Sequence, residues 1–272
     1  MFKMLSISPG PKAALAFLVA ALALDAQTPT QTRVAASVRA QPAAGVSQDK
    51  AAVDQMIRDY IMQHPEVLME SLRRGQERTK AAESQQAREA IVARQAELAG
   101  DLVTPAAGNA KSSVTLTFFF DYRCGYCKKV TADLAPLIKP DSPVRVVFKE
   151  LPILGPESEA ASRAALAAAK QGAYVPFHQA LMSHQGAFSM EALEEVAREV
   201  KLDVARWKAD MTGAEVDQAI RANQALAASI GIQATPSFVA GSELAAGALD
   251  AKGFAALIGR AAAPSRNIAS AQ

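Results

Sequence analysis

The central part of the chain has the apolar pattern of a buried strand that leads into a helix and then into a second strand. Residues 114–120 are almost all β-branched or aromatic, which indicates a strand buried on both faces. An apolar face at helical spacing follows over residues 130–138, with a kink predicted at Pro136 and the helix end at Pro140. Residues 144–148 then place apolar side chains at alternate positions, which predicts the second strand. This order predicts a parallel pair of strands with a right-handed crossover.

After the second strand the hydrophobic pattern becomes helical, and it returns to a strand pattern near the end of the chain. Residues 156–230 carry helical periodicity without a convincing strand, so we expect an insert of five helices. Thr212 to Glu215 has the pattern of a capping box that opens the last of them. The strand pattern returns over residues 237–246 as a hairpin. Asp250 is predicted to cap a closing helix, and residues 263–272 are predicted to form a disordered tail.

The first residues have the pattern of a signal peptide. Lys3 and Lys12 precede an apolar run over residues 13–24, which is short for a membrane span and typical of a secretory h-region. We therefore predict that residues 1–26 are removed on export, while an uncleaved membrane anchor stays open on run length alone. Residues 27–47, with many Thr, Gln, Ala and Pro, are predicted to be a flexible linker.

Residues 48–100 show helical periodicity with a narrow apolar stripe. Pro65 separates two helices, and Gly75 is expected to weaken or bend the second. Because so narrow a stripe cannot build its own core, it must pack on the next domain or on another copy of the chain. Both alternatives stay open, and we predict an oligomerisation segment with its contacts in residues 48–98. Residues 102–111 are predicted to be a linker and turn before the first strand.

The only two cysteines of the chain follow directly on the first predicted strand. Cys124 and Cys127 are separated by Gly125 and Tyr126, so the pair opens the predicted helix. The free N–H groups and the positive dipole at a helix start stabilise a thiolate, which should lower the pKa of Cys124 and make it nucleophilic. Cys127, one turn further along, is placed to attack any mixed disulfide that Cys124 forms.

Two other uses of the cysteine pair compete with redox exchange. A structural disulfide would close too small a loop to remove much chain entropy, and a domain of this size needs no such bond. Zinc needs four ligands, and beyond the thiols the chain offers only the scattered His64, His178 and His184. His178 and His184 fit packing roles in the helical insert. A Cu(I) site at Cys124 and Cys127 needs fewer ligands and stays open. The spacing of the two thiols favours redox exchange.

The composition indicates a globular domain and argues against a nucleic-acid partner. Half of the 272 residues are apolar, enough for a sizeable core, and the formal net charge is only +2. The chain has no basic stripe with interleaved aromatic residues, which argues against nucleic acid as a ligand.

Three blocks of the sequence resemble a known family. They are residues 119–128 (FFDYRCGYCK), 148–155 (FKELPILG) and 231–239 (GIQATPSFV), and residues 59–67 add a shorter likeness upstream. The chain resembles the DsbA family of exported thiol–disulfide oxidoreductases, and more closely the suppressor-of-copper-sensitivity C proteins within it. The resemblance implies an α/β, thioredoxin-like fold with a helical insert at about 156–230, preceded by an N-terminal helical segment. It covers most of residues 48–262.

The resemblance also implies roles for individual residues. Cys124 is the attacking thiolate and Cys127 the resolving thiol. Pro236 is the cis-proline that faces the pair, and Thr235 before it exposes backbone groups to a bound client chain. Tyr126, at the rim of the motif, is a candidate client contact. No metal and no cofactor is expected beyond a redox-active disulfide between the two cysteines.

One departure from the family concerns proton transfer. Many relatives carry a buried carboxylate six residues before the first cysteine, where this chain has Phe118. The proton of the resolving thiol then moves through water, or Glu150 serves. We expect Glu150 to be an ordinary acid at a strand end.

The expected function is thiol–disulfide interchange on exported proteins in the periplasm. The Gly-Tyr pair inside the motif and Thr235 resemble isomerase-type sites, and some family members trimerise, so disulfide isomerase or reductase work is favoured. A dithiol oxidase and a non-catalytic, Cu(I)-binding copper-tolerance protein are the alternatives. Expected partners are unfolded or wrongly disulfide-bonded clients, a membrane thiol reductase or oxidase that resets the site, and further copies of the chain, for example in a homotrimer through residues 48–98.

Overall fold

The computed structural model describes residues 45–100 and 104–263. The chain divides into two compact units, residues 1–63 and 64–272. In the described part of the first unit a single helix, α1 (Gly45–Gln63), exposes Val53, Met56, Ile57 and Tyr60. The predicted signal peptide and most of the predicted linker lie outside the described residues. No helix within residues 45–100 and 104–263 is long and apolar enough to cross a membrane.

The second unit alternates strands and helices around one five-stranded sheet. Its elements are α2 (Pro65–Ala93), α3 (Gln95–Ala99), β1 (Ala106–Gly108), β2 (Thr115–Phe120), α4 (Gly125–Leu134), β3 (Arg145–Glu150), α5 (Pro156–Ala169), α6 (Tyr174–Ser183), α7 (Met190–Glu199), α8 (Val204–Met211), α9 (Ala214–Ser229), β4 (Ser237–Ala240), β5 (Glu243–Ala246) and α10 (Ala251–Ala262). The predicted strand–helix–strand unit, the five-helix insert and the hairpin are all present.

Strand β2 lies at the centre of the sheet, whose strand order is β1-β3-β2-β4-β5. It pairs in parallel with β3, where Phe120 is opposite Glu150, and antiparallel with β4, where Phe119 is opposite Ser237. The carboxyl ends of β2 and β3 and the amino end of β4 therefore meet at one edge. The segments that follow β2 and β3 and the segment that precedes β4 therefore lie next to one another at this end of the sheet.

Strand β1 was predicted as a linker, and that prediction is wrong. Its sequence, Ala-Ala-Gly, has none of the β-branched residues that mark a strand, but it pairs antiparallel with β3. Gly108 is required here, because its φ is +82° and a Cβ would lie 2.5 Å from the carbonyl oxygen of Val144. Such an edge strand is defined by its partner and not by its own side chains.

Two helix boundaries also differ from the predictions. Helix α4 ends at Leu134, and turns replace the predicted kinked continuation to residue 138, since Pro136 cannot donate to the helix ladder. Thr212 does not cap α9: the N-cap is Gly213, and the Thr212 hydroxyl donates to the carbonyl of Ala209 at the end of α8. The predicted cap at Asp250 is present, and Asp203 caps α8 in the same way.

The two faces of β2 carry separate cores, because successive side chains of a strand point to opposite faces. Phe118 and Phe120 face the helical insert, in a cluster that includes Phe148, Phe238 and the fully buried Trp207. The indole N–H of Trp207 donates to the carbonyl of Ala164 in α5, 2.9 Å away, which ties two insert helices together.

The other face of the sheet is covered by helices from both ends of the unit. Phe119 packs there with Ile91 of α2, Leu98 of α3 and Ile230. The end of α2 thus packs on its own domain, one of the two alternatives that periodicity left open. Earlier in α2, the side chains of Val67, Leu68, Met69 and Leu72 are exposed.

Candidate active site

Cys124 lies at the start of α4, on the first turn beyond the central strand. It is the N-cap residue of the helix, its N–H donates to the carbonyl of Asp121, and its carbonyl accepts from the N–H of Lys128. No side chain caps the helix at this position. The free N–H groups of the first turn are therefore available to negative charge at this end of α4.

A second segment meets this cysteine from the other side of β2. The Sγ of Cys124 donates to the carbonyl oxygen of Thr235 at 3.3 Å, and the Thr235–Pro236 peptide bond is cis. The Pro236 carbonyl accepts from Gly247 N at 2.8 Å, which ties the loop to the end of β5. The structure thus brings Thr235 and Pro236 next to Cys124, although Thr235 lies 111 residues further along the chain.

The two thiols have different environments. Cys124 is 8 % exposed and Cys127, one turn into α4, is fully buried, and both are free thiols. Burial raises the pKa of the Cys127 thiol, an effect that the neighbouring Cys124 reinforces and the backbone N–H of Asp121 partly offsets. Cys127 is therefore a neutral thiol in this arrangement, and only Cys124 has surface that another molecule can reach.

The rim of the site is apolar and positively charged. Tyr126, between the cysteines, is 62 % exposed, and the ammonium of Lys129 lies 5.1 Å from the centre of its ring. Lys128 instead turns inward: its ammonium donates to the carbonyl of His184 and lies 5.3 Å from the ring of Phe188. Burial lowers the pKa of Lys128.

Asp121 is a fully buried carboxylate three residues before Cys124. Its Oδ1 accepts from the backbone N–H of Arg123 and from the hydroxyl of Ser158. Its Oδ2 accepts from the backbone N–H groups of Ile153 and Leu154, at 2.8 and 3.0 Å. A single side chain thus connects the turn before Cys124, the loop after β3 and the start of α5. This role was not predicted, although an acid between a strand and a C-x-x-C was a signal in the sequence that could have indicated it.

Glu150 corrects the expectation of an ordinary acid at a strand end, because it is fully buried. Its carboxyl group accepts from the hydroxyls of Tyr174 at 2.6 Å, Ser162 at 2.9 Å and Tyr122 at 3.2 Å. Burial raises the pKa of Glu150 to about 8 in spite of these hydrogen bonds, with a smaller contribution from Asp121. The group is thus mostly protonated at neutral pH.

The hydrogen bonds of Glu150 extend to a buried histidine. The Tyr122 hydroxyl lies 3.0 Å from Nδ1 of His178, which is 2 % exposed, and burial lowers the pKa of His178 to about 3. Burial also raises the pKa of both Tyr122 and Tyr174. The cluster joins the segment before Cys124 to helices α5 and α6 with neutral groups.

Comparison with known proteins agrees with this geometry. The sequence model of the DSBA-like thioredoxin domain matches residues 115–259, more than half of the chain. The chain belongs to the DsbA family. The model of the copper resistance protein ScsC N-terminal domain matches residues 49–82 of this DsbA-family chain, so the protein is ScsC-like. Family membership supports thiol–disulfide oxidoreductase activity.

Solved structures of related proteins share the fold. A thioredoxin-like oxidoreductase from Silicibacter pomeroyi DSS-3 is 40 % identical, with a TM-score of 0.58 over 60 % of this chain and 95 % of that one. Proteus mirabilis ScsC in a transitional conformation is 27 % identical, with a TM-score of 0.58 over 79 % of this chain and 97 % of that one. The thioredoxin-like fold with a helical insert is therefore confirmed.

A curated relative is much longer than this DsbA-family chain. The Na(+)/H(+) antiporter NhaA of Herminiimonas arsenicoxydans is 32 % identical over 154 residues, which are 56 % of this chain and 24 % of the antiporter. The chain spans about a quarter of that relative's length.

The remaining polar candidates lie outside the cysteine site. Within residues 45–100 and 104–263, no group of three or more His, Cys, Asp or Glu side chains is arranged to hold a metal ion. His184 packs against Phe188, and His64 contacts Glu66 on the exposed start of α2. The sequence thus predicted the two cysteines and the cis-proline of this DsbA-family site. It gave no prediction for Asp121, and it named Glu150 as a candidate without predicting its burial.

Proposed function

We propose that the protein is an exported, periplasmic thiol–disulfide interchange protein that rearranges wrong disulfides in client proteins. The observation that carries the proposal is the position of the Cys124 sulfur: at an uncapped helix start, 3.3 Å from the carbonyl that precedes cis-Pro236. A helix start favours the thiolate, and a peptide bond fixed beside the sulfur offers backbone groups to an extended client. The redox centre is the Cys124–Cys127 pair, with no separate cofactor.

The reaction begins with attack of the Cys124 thiolate on one sulfur of a client disulfide. The client S–S bond breaks, a mixed disulfide forms between client and Cys124, and the second client sulfur leaves as a thiolate. When another client thiolate attacks the mixed disulfide, Cys124 leaves as a thiolate and the client gains a different disulfide. When Cys127 loses its proton and attacks the Cys124 sulfur instead, the client leaves reduced and the Cys124–Cys127 disulfide forms.

The burial of Cys127 favours isomerisation over reduction. Since its pKa is raised, deprotonation of Cys127 is costly and the mixed disulfide persists, which gives a client thiolate time to attack. A membrane thiol reductase is proposed to return any oxidised pair to the dithiol.

Oligomerisation is proposed to assist isomerisation. Helices α1 and α2 expose apolar residues, among them Ile57 and Met62 on α1 and Leu68 and Leu72 on α2. Contact between copies through these faces, for example in a homotrimer, would present several thiolates to one client and raise their effective concentration. The variant Leu68→Gln/Leu72→Gln leaves the core untouched. Analytical ultracentrifugation should show a smaller species, and an unchanged mass would contradict this contact.

The activity is tested with two assays and two cysteine variants. Cys124→Ser should abolish both insulin reduction and the recovery of scrambled ribonuclease, since no other thiol can be reached from outside. Cys127→Ser should lose catalytic insulin reduction but retain part of the ribonuclease recovery, because only the reductive branch needs Cys127. Full ribonuclease recovery with Cys124→Ser would refute the proposed mechanism.

The direction of exchange and the location are tested in cells. Alkylation of thiols should trap the pair mostly reduced in the periplasmic fraction, in a protein whose first residues are missing. A mostly oxidised pair would favour a dithiol oxidase. Tight Cu(I) uptake without exchange activity would favour a copper-binding protein.

A further inference from the structure

Exposed apolar side chains lie at the cysteine end of the sheet. Within the described residues 104–263 the large exposed apolar side chains are Tyr126, Ile153, Leu154 and, at the start of α7, Met190; the first three lie at this end. Tyr126 lies between the two cysteines, and Ile153 and Leu154 follow directly on β3. Exposed apolar side chains that gather at one place indicate a contact surface, whereas scattered ones need no explanation.

The sheet order places Ile153 and Leu154 on one side of Cys124 and the cis-proline on the other. Strand β2 leads to Cys124, and its neighbours are β3 and β4. Residues 153–154 leave the carboxyl end of β3, in parallel register with β2, whereas Pro236 precedes the amino end of the antiparallel β4. Residues 153–154 and 235–236 are therefore two walls with the reactive sulfur between them.

The wall of residues 153–154 is held rigidly in spite of its exposure. Asp121 accepts both backbone N–H groups, and the guanidinium of Arg123 donates to the carbonyl of Leu154 at 2.7 Å. Because these backbone groups are already satisfied, residues 153–154 cannot pair with a client through their N–H groups. Their exposed apolar side chains are the groups that can contact an apolar client.

We propose that Ile153 and Leu154 bind apolar side chains next to the reacting cysteine of a client, and that Asp121 is the positioning residue that fixes this wall beside Cys124. The proposal rests on the exchange function proposed above and names its client: an extended, unfolded segment with apolar residues flanking its cysteine. Charge adds a preference, because Lys129 is a cation on the same rim. The charge of Arg123 is offset by the carboxylate of Glu157, 3.7 Å away. Acidic residues further along the client segment should help binding, and basic ones should weaken it.

The test compares three disulfide substrates. One is a pair of disulfide-linked peptides with leucine on both sides of each cysteine, the second has serine at those positions, and the third is the small disulfide of 2-mercaptoethanol. The variant Ile153→Ser/Leu154→Ser should raise KM for the leucine peptide about 10-fold relative to the serine peptide, with little change in kcat. The ratio of the two peptide activities should fall more than the activity with the small disulfide.

A matched control replaces an apolar residue of similar exposure elsewhere. Val92 is exposed on α2, in the turn that packs toward the far end of β4, where Gln95 donates to the carbonyl of Gly241. Val92→Ser should leave all three activities and the peptide ratio unchanged. If it lowers the leucine peptide ratio as the wall variant does, the effect is not specific to residues 153–154.

The role of Asp121 is tested by combining variants. Asp121→Asn removes one acceptor oxygen and should raise KM for the leucine peptide as the wall variant does. Added to the wall variant, it should cause little further loss of the leucine-to-serine ratio, since both changes remove the same contact. Equal losses with all three substrates would reduce Asp121 to a structural residue and refute its positioning role.

The outcomes separate this inference from the proposed function. An unchanged peptide ratio in the wall variant, in an enzyme that still exchanges the small disulfide, overturns the inference alone. A wild-type protein that exchanges none of the three substrates overturns the proposed function.

Discussion

Asp121 and Glu150 are both fully buried carboxyl groups near the ends of adjacent strands, but their surroundings differ. Asp121 accepts three hydrogen bonds from backbone N–H groups and one from the Ser158 hydroxyl. Glu150 meets only side-chain hydroxyls. Backbone donors are fixed in place and cannot turn to accept a proton, whereas hydroxyls can do both. The first environment suits an acceptor that holds a loop in place, and the second accommodates a carboxyl group that gains or loses a proton.

The largest expected effect comes from deleting the Asp121 side chain. Asp121→Ala leaves buried N–H groups of the 153–154 loop without acceptors, which should lower the free energy of unfolding by about 3–5 kcal/mol. Urea denaturation at neutral pH measures the change. The conservative Asp121→Asn should cost less than half as much. A loss below about 1 kcal/mol for Asp121→Ala would show that water replaces the carboxylate and would remove the contrast with Glu150.

The second-largest expected effect is a pH dependence of the free energy of unfolding, caused by Glu150. Its pKa rises from 4.5 to about 8 on folding, so its contribution to stability is complete below pH 4.5 and is lost as the pH rises toward 8. The pKa of His178 falls from 6.5 to about 3, so its contribution is complete above pH 6.5 and is lost as the pH falls. Between pH 4.5 and 6.5 Glu150 makes the free energy of unfolding fall with rising pH, whereas His178 makes it rise. Above pH 6.5 only Glu150 contributes to the pH dependence within this cluster.

The contribution of Glu150 to this pH dependence is measured by comparing the wild-type protein with the variant Glu150→Gln. From pH 6.5 to 8 the wild-type protein should lose up to about 2 kcal/mol of unfolding free energy relative to Glu150→Gln, since each pH unit contributes at most about 1.4 kcal/mol. The groups that face Glu150 are Tyr122, Tyr174, Ser162 and, at longer range, Asp121. Parallel curves for the two proteins would show that Glu150 titrates normally.

The smallest expected loss of stability comes from removing a single hydroxyl that donates to Glu150. Tyr174→Phe removes the 2.6 Å hydrogen bond and should destabilise the protein by about 1–2 kcal/mol at pH 6. Ser162→Ala, which removes a 2.9 Å bond, should cost no more than that. Thermal unfolding of both variants checks the order. A larger loss for Ser162→Ala would place the main partner of Glu150 in α5 instead of α6.

The contrast between the two acids also explains what the sequence could predict. Residues 114–120 and the C-x-x-C pair are local patterns, so strand, helix and reactive sulfur followed from neighbouring positions. The surroundings of Glu150 depend on Tyr122, Ser162 and Tyr174, which come from three separate segments and meet only through packing. No periodicity along the chain contains that information.

The boundary between the N-terminal helical segment and the thioredoxin-like domain was predicted too far along the chain for a similar reason. The predicted oligomerisation segment extends to residue 98, but Ile91 and Leu98 belong to the core around Phe119. Their apolar character is visible in the sequence, whereas the surface that receives them is formed by residues much later in the chain. Deleting residues 48–98 would therefore expose that core as well as remove the proposed contact between copies.

Helix α2 passes through Gly75 without interruption and joins two different environments. Leu68 is exposed near its start, and Ile91 is buried near its end. At 1.5 Å per residue these positions lie about 35 Å apart along the axis. In the proposed oligomer the helix would act as a spacer, and its length would help to set how large a misfolded chain fits between neighbouring reactive sulfurs.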